Sequence, residues 1–282
     1  VVIAASDPSP EAGGGAELLR AAGIAVVIGV EEAEARELNA AFFHALSSPR
    51  PFVTLKLALS LDSALADASG RSRWITGDAS RKEVHRLRAN SDAIAVGIGT
   101  VLADDPSLTV REGFTARVAP RRIVFDREAR LPLGSVLART ARDVPTLVLA
   151  APGADDARVR ALQNEGVDVV HAGSTDETLL ELRRRGVRSL LVEGGARLAG
   201  SLLESAVVDR MVIFRAPILL GAGSLGAFTF VPSADLGDAR RFAVISRATV
   251  GADAMTTYAP RSEGDATACS RESSTTSDLS SA

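Results

Sequence analysis

From Phe52 the chain alternates, with Val53, Leu55, Leu57, Leu59 and Leu61 at one set of positions and Thr54, Lys56, Ala58 and Ser60 between them. A period of two sends successive side chains to opposite faces of a strand, so the Leu set faces a core and Lys56 faces away from it. Unbroken apolar runs predict further buried strands over 93–97, 122–126, 145–150, 167–170 and 189–192. Helical spacing fills the gaps over 78–89, 155–165, 175–185 and 196–205. The first of these is capped by Asp78 or Thr76, and the third follows Ser174-Thr175-Asp176-Glu177, a capping-box spacing. The last third turns to strands over 210–216, 241–250 and 254–258. Strands alternating with helices imply a largely parallel sheet with helices on both faces, and the closing strands imply an antiparallel edge.

Before Phe52 the pattern is strand (1–5), turn (6–10), helix (16–22), strand (24–30) and one amphipathic helix over 31–46, with Ala33, Leu38, Ala41, Phe42 and Ala45 on its inner side. Such a βαβα piece buries too little apolar surface to offset chain entropy, so it is expected to pack on the rest of the chain or on another domain. The apolar start at Val1, with no Met, leads us to expect polypeptide upstream. Ser47-Ser48-Pro49-Arg50-Pro51 marks the boundary. Beyond Pro260 the chain is mostly Ser, Thr, Asp, Glu, Ala and Gly with one large aliphatic, Leu279, and residues 261–282 are expected to be a disordered tail. The expected units are thus 1–49, 50–260 and 261–282.

Composition removes several functions. With 32 Lys and Arg against 35 Asp and Glu, the net charge is -3, which gives no field for a nucleic-acid backbone or an anionic membrane. The apolar runs fall short of the ~18 residues of a membrane span. The lone Cys269 forms no disulfide framework and fits a reducing, cytoplasmic compartment, and no metal site is expected.

Four constellations could carry chemistry. Glu193-Gly194-Gly195 joins a strand to the 196–205 helix, either as a tight turn or as a phosphate cradle at a helix N-terminus. Residues 97–106 leave a buried strand with two glycines and a Thr, and end on Asp104-Asp105-Pro106. Those carboxylates are either a solvated turn or part of a site outside the carboxyl end of the strand. Trp74, the only Trp, either floors a pocket for a planar ring or plugs a core edge. Lys56 either snorkels to solvent or stands as a cation in a cleft. His44, His85 and His171 make no metal pair and read as surface or packing residues.

Taken in order, Arg50-Pro51-Phe52-Val53-Thr54-Leu55-Lys56, Ser60-Leu61-Asp62, Ala68-Ser69-Gly70, Ser72, Trp74-Ile75-Thr76-Gly77, Leu87-Arg88, residues 99–106, Leu108-Thr109-Val110-Arg111 and Val192-Glu193-Gly194-Gly195 resemble the reductase domain of the bacterial RibD family of riboflavin-biosynthesis proteins. The resemblance covers about 50–258, and the βαβα piece, with Ser6-Asp7-Pro8 and Gly13-Gly14-Gly15, is similar to the end of that family's deaminase domain.

It implies a dihydrofolate-reductase-like α/β fold with a mixed, mostly parallel sheet, a homodimer, and NADPH-dependent reduction of 5-amino-6-(5-phosphoribosylamino)uracil at C1′ of the opened ribose. It further implies NADP binding at Ala58, Trp74, Thr100, Asp104, Arg127, Gly195, Ala196, Arg197, Leu198, Ala199, Gly200 and Ser201, and binding of the phosphorylated pyrimidine at Ser72, Arg88, Leu108, Arg111 and Glu193. Arg88 and Arg111 suit phosphate oxygens. Lys56 and Asp104 are the candidate catalytic pair, orienting ribose hydroxyls and assisting proton transfer. Among Arg121, Arg122, Arg127 and Arg130, a 2′-phosphate site or a run of surface arginines are both open readings.

The chain departs from the family in two ways. It has no His-x-Glu and Pro-Cys-x-x-Cys zinc residues, so deamination is expected only from an upstream domain. Ser63 stands where the family commonly has Gly, which puts the local pocket rim in question. A non-catalytic NADP-binding remnant and a similar reductase of another substrate, such as a pterin, are the alternative functions.

Overall fold

The computed structural model describes residues 1–9, 13–232 and 234–261; the tail expected over 261–282, with Cys269, lies outside them apart from Arg261. The chain begins with β1 (Val2–Ile3), α1 (Gly15–Ala21), β2 (Val27–Ile28), α2 (Glu32–Leu38) and α3 (Ala40–Ser47). β1 and β2 pair in parallel, and no described residue before Pro51 is buried. The single helix expected over 31–46 is two helices. Asn39 leaves helical geometry (φ -108°, ψ 24°) while its side-chain amide donates back to the Ala35 carbonyl at 2.9 Å. An amide that competes for main-chain groups in this way interrupts a helix. The inner side expected for it is corrected in part: Ala41 and Ala45 are half-buried as expected, but Ala33, Leu38 and Phe42 are exposed, and Phe43 and His44 are half-buried in their place. His44 meets the Phe52 ring edge-on at 5.5 Å, which seats α3 on the start of the sheet.

The sheet elements follow as β3 (Phe52–Leu59), β4 (Ala64–Ala66), α4 (Asp78–Ala89), β5 (Ala93–Gly97), α5 (Ile98–Asp104), β6 (Arg121–Phe125), α6 (Val136–Arg139), β7 (Thr146–Ala150), α7 (Asp156–Asn164) and β8 (Asp168–His171). After them come α8 (Thr175–Arg184), β9 (Ser189–Glu193), α9 (Ala196–Glu204), β10 (Arg210–Arg215), β11 (Leu225–Gly226), β12 (Phe242–Val250) and β13 (Asp253–Pro260). Nine strands form one sheet in the order β12-β13-β10-β3-β9-β5-β6-β7-β8. From β10 to β8 every pairing is parallel, while β13 and β12 close the edge antiparallel, as the pattern predicts.

Each face of the sheet carries its own core. Val53, Leu55, Leu57 and Leu59 lie in one, with Leu179, Leu182, Leu202 and Ile213. Ile94, Val96, Val124 and Val148 lie in the other, with Leu137 and Leu162. Leu61 falls beyond the strand and is exposed.

One expected helix start changes and one holds. Gly77, not Asp78 or Thr76, caps α4, and its N–H donates to the Asp253 carboxylate at 2.9 Å, tying the helix to the antiparallel edge. Ser174 does cap α8, accepting from Glu177 N–H at 3.1 Å, while the Glu177 carboxylate accepts from Gly173 N–H at 2.7 Å.

Candidate active site

β3, β5, β6 and β9 run in parallel, so their carboxyl ends open on one side of the sheet, into a cleft of about 1370 Å³. Ligands of open α/β sheets bind in this position.

The first wall is the β9–α9 turn. Gly194 and Gly195 both take positive φ (65° and 88°), and α9 starts with no side-chain cap, which leaves its first N–H groups free. A Cβ at Gly195 would stand 3.0 Å from Thr100 Oγ1, so only glycine brings this main chain so close to α5. Free N–H groups and the positive helix end suit an anion. Gly195, Ala196, Arg197, Leu198 and Ser201 line the cleft, as does Thr100. Ala199 and Gly200 do not: Ala199 is fully buried in the core, and a Cβ on Gly200 would meet the Phe230 carbonyl oxygen at 2.7 Å. Their place in the sequence-derived cofactor set is therefore a packing role. Residues 97–106, read as a loop, are largely helix: two glycines hid α5, whose N-terminus also lies on the cleft.

The second wall is charged. Lys56 of β3 stands directly across from Glu193 of β9 in the sheet register. Arg88 of α4 meets Glu193 in a fork, Nε to Oε1 at 2.5 Å and Nη2 to Oε2 at 2.8 Å, and Nη1 donates to the Thr109 carbonyl at 2.9 Å. Three of its five N–H groups are thereby engaged and two remain. Burial pushes the Glu193 carboxyl up, but Arg88, with Lys56 and His85, holds it below the usual range. Burial would lower Arg88, and Glu193 holds it raised. Lys56 has no hydrogen bond among the described residues; its Nζ lies 5.7 Å from the centre of the Phe214 ring. Burial pulls its ammonium below the ordinary lysine value, Glu193 opposes this, and Arg88 adds to it. Lys56 is half-buried and lines the cleft.

His85, read as a surface or packing residue, also belongs to this wall. It is buried, borders the cleft, and its Nδ1 accepts the Arg111 N–H at 3.0 Å. The available signal was its spacing: His85 precedes Arg88 by three residues on a helix, and residues so spaced share a face.

At the third wall Ser72 donates to both Asp104 carboxylate oxygens (3.1 and 3.0 Å), and the Arg73 guanidinium donates to the Asp104 carbonyl. Asp105 accepts from Val136 N–H at 2.8 Å, so the adjacent carboxylates have separate tasks. Trp74 stays largely exposed at the rim, with the Arg81 guanidinium 4.6 Å from its ring centre. It plugs no core edge.

Ala58, Leu108, Arg111 and Arg127 also line the cleft. Of the four arginines considered for a 2′-phosphate, Arg127 and Arg130 border it. Arg122 does not: it is buried and spends its guanidinium on Thr140 Oγ1 (2.8 Å) and on the Thr140 and Val144 carbonyls. Arg121, at the amino end of β6, is remote from the carboxyl-end opening. Asp126, unremarked in the sequence, is buried beside these cations; Oδ2 accepts from Leu131 N–H, and burial pushes the carboxyl up. Ser63 takes positive φ (64°), the conformation for which glycine is suited. Among the described residues no cluster of His, Cys, Asp or Glu could hold a metal ion, and no helix is long and apolar enough to cross a membrane.

The sequence matches the RibD C-terminal domain family over residues 51–236. It is 41% identical over 226 residues to the riboflavin biosynthesis protein RibD of Aquifex aeolicus, covering 79% of this chain and 62% of that protein. Among solved structures it is similar to Acinetobacter baumannii RibD, at 33% identity and a TM-score of 0.78, covering 93% of this chain and 73% of that one. A Thermotoga maritima protein described as a diaminohydroxyphosphoribosylaminopyrimidine deaminase and 5-amino-6-(5-phosphoribosylamino)uracil reductase gives a TM-score of 0.78 at 31% identity, covering 93% and 71%. The chain spans 60 to 62% of the length of the first curated relatives it matches.

Proposed function

Because this chain belongs to the RibD C-terminal domain family, we propose that its cleft reduces 5-amino-6-(5-phosphoribosylamino)uracil to 5-amino-6-(5-phosphoribitylamino)uracil, a step of riboflavin biosynthesis, with NADPH as reductant. Residues 1–49 are read as a segment of a deaminase-like domain, residues 50–260 as the reductase domain, and the active species as a cytoplasmic homodimer.

The observation that carries the reading is Lys56 Nζ, the amine of a half-buried lysine with no hydrogen-bond partner among the described residues. It shares one cleft with an uncapped helix N-terminus and with guanidinium groups that have donors to spare. The chain fits a dinucleotide: the Gly194-Gly195 turn and α9 N-terminus suit its pyrophosphate, and Arg127 and Arg130 suit a further phosphate. Bound NADPH supplies the hydride that C1′ of the opened ribose receives.

This chain's side chains hold the substrate and move protons. Arg111 and the two unengaged N–H groups of Arg88 hold the substrate phosphate. Lys56 and Asp104 orient the ribose hydroxyls, and Lys56 Nζ holds the proton delivered to the ribose ring oxygen as the ring opens. A depressed lysine gives up that proton nearer neutral pH than an exposed one.

The test is NADPH oxidation on adding the substrate, generated in place, with the product identified by mass. Formation of the ribityl product is the expected result. No oxidation, with NADPH still quenching Trp74 fluorescence, overturns it in favour of cofactor binding without turnover; oxidation only with a different acceptor, such as a pterin, assigns another substrate.

A further inference from the structure

We propose that His85 is a positioning residue for the phosphate-bearing end of the substrate, anchoring the Arg111 main chain through Nδ1 and presenting Nε2–H to the cleft. The inference rests on the pyrimidine-reductase reading and deepens it.

The geometry is specific. His85 and Arg88 stand one turn apart on α4, and each grips the main chain of the loop that follows α5: Arg88 donates to the Thr109 carbonyl, and His85 accepts from Arg111 N–H. The loop needs such holding. Leu108 and Glu112 both take positive φ (49° and 60°), a conformation that side-chain-bearing residues keep only when their surroundings impose it.

A ring nitrogen that accepts an N–H carries no proton, so His85 is neutral with its proton on Nε2. Nε2 has no partner among the described residues, and His85 and Arg111 both border the cleft. A phosphate held by Arg111 and the spare donors of Arg88 thus has the His85 Nε2–H as a third, uncharged donor beside it.

The charged groups around His85 are Arg88 on its own helix, Arg111 and Glu112 on the loop, and Glu193 on β9. Burial and the two guanidiniums favour the neutral ring, and the two carboxylates oppose them. A proton added at Nδ1 turns the acceptor into a donor that faces the Arg111 N–H, so acid releases the anchor.

The experiment titrates the full chain with ribose 5-phosphate, with ribose as control, by calorimetry. His85→Leu, which removes both ring nitrogens, is expected to weaken ribose 5-phosphate by roughly five- to tenfold, the worth of about one hydrogen bond. His85→Asn, whose amide oxygen replaces Nδ1, is expected to recover most of that loss. The wild type should also lose affinity toward acid more steeply than His85→Asn; the ligand's own phosphate titrates equally in both.

In turnover, His85→Leu should raise KM for the phosphorylated substrate with kcat within about twofold. Nitrogen NMR of the wild type should show Nδ1 unprotonated at pH 7, a readout that needs no variant. A proton found on Nδ1, His85→Leu binding ribose 5-phosphate like the wild type, or His85→Asn as weak as His85→Leu would each overturn the proposal. Wild-type turnover with KM unmoved in His85→Leu removes the His85 role alone. The expected titrations without any NADPH oxidation remove the reductase reading and leave the phosphate site.

Discussion

Lys56 is held where its charge is unwelcome. Burial lowers its pKa, so from the depressed value up to 10.5 the unfolded chain binds more protons than the folded one, and stability rises with pH through that window. Below the depressed value the charged lysine weighs against the fold in full. Lys56→Met is therefore expected to raise the unfolding temperature at pH 7 while lowering kcat by about a hundredfold or more, with NADPH affinity little changed. Thermal melts beside steady-state kinetics check both, and a variant with unchanged kcat removes Lys56 from the proton path. Glu193 is the reverse case. Its pKa is held low by Arg88 against burial, so its contribution is present above about pH 4.5 and is lost as pH falls through the depressed value. Glu193→Ala leaves Arg88, 11% exposed, without a counter-charge. Breaking such a pair from one side costs about 3–5 kcal/mol, to be read by denaturant unfolding. The same change strips Lys56 of the carboxylate that supports its ammonium, so the alkaline limb of the kcat profile, where that proton is lost, should move to lower pH.

The elements show where sequence periodicity suffices and where it fails. β3 and the parallel strands beside it were legible because each buries an unbroken or alternating apolar set, and hydrophobic period is a local property. α5 was not, since two glycines in Ile98-Gly99-Thr100 and Gly97 mimic a loop, and Leu102 is exposed while Ile98 and Val101 supply the buried face. The break at Asn39 depends on a side-chain hydrogen bond that no periodicity encodes. At the site, the motifs named most cleft residues, but burial separated Arg127 and Arg130 from Arg122 in a way composition could not. Within 195–201 burial likewise separates residues: helical rotation turns Ala199 and Gly200 into the packed interior, while the other five border the cleft. Gly200→Ala tests that assignment. Alanine gains about 1 kcal/mol of helix propensity, but its Cβ would enter the space of the Phe230 carbonyl oxygen (2.7 Å) and Cβ (2.8 Å). Overpacking of this kind costs about 1–3 kcal/mol, and relief must come from backbone. A net loss of thermal stability is expected; a more stable variant would show that the Phe230 segment yields freely.

At the scale of the whole molecule, the parallel strands put two surfaces at opposite ends. The cleft opens at the carboxyl ends of β3, β5, β6 and β9, whereas residues 1–47 meet the sheet at its amino end. There His44 packs on Phe52, Glu37 pairs with Arg210 at the start of β10, and the Ala45 carbonyl accepts from Arg183. These contacts are polar or peripheral. The segment leaves Val1, Val2, Leu18, Val27, Val30, Leu38, Phe42 and Leu46 exposed, a concentration of apolar surface of the kind that favours association. Removing residues 1–47 should therefore leave NADPH affinity within about twofold, because nothing in the cleft rests on them. Stability should fall only modestly, since the loss is one aromatic contact at Phe52 and a few polar links, Glu37 to Arg210, Ala45 to Arg183, and His44 to the Arg50 carbonyl and Asp209, each worth about 1 kcal/mol or less. Concentration-dependent association in sedimentation velocity should diminish, as the exposed apolar side chains leave with the segment. Fluorescence titration of NADPH against the shortened and full chains decides the matter. A large drop in affinity would mean that the amino end of the sheet controls the geometry of its carboxyl end, and the two ends would then have to be treated as one coupled unit.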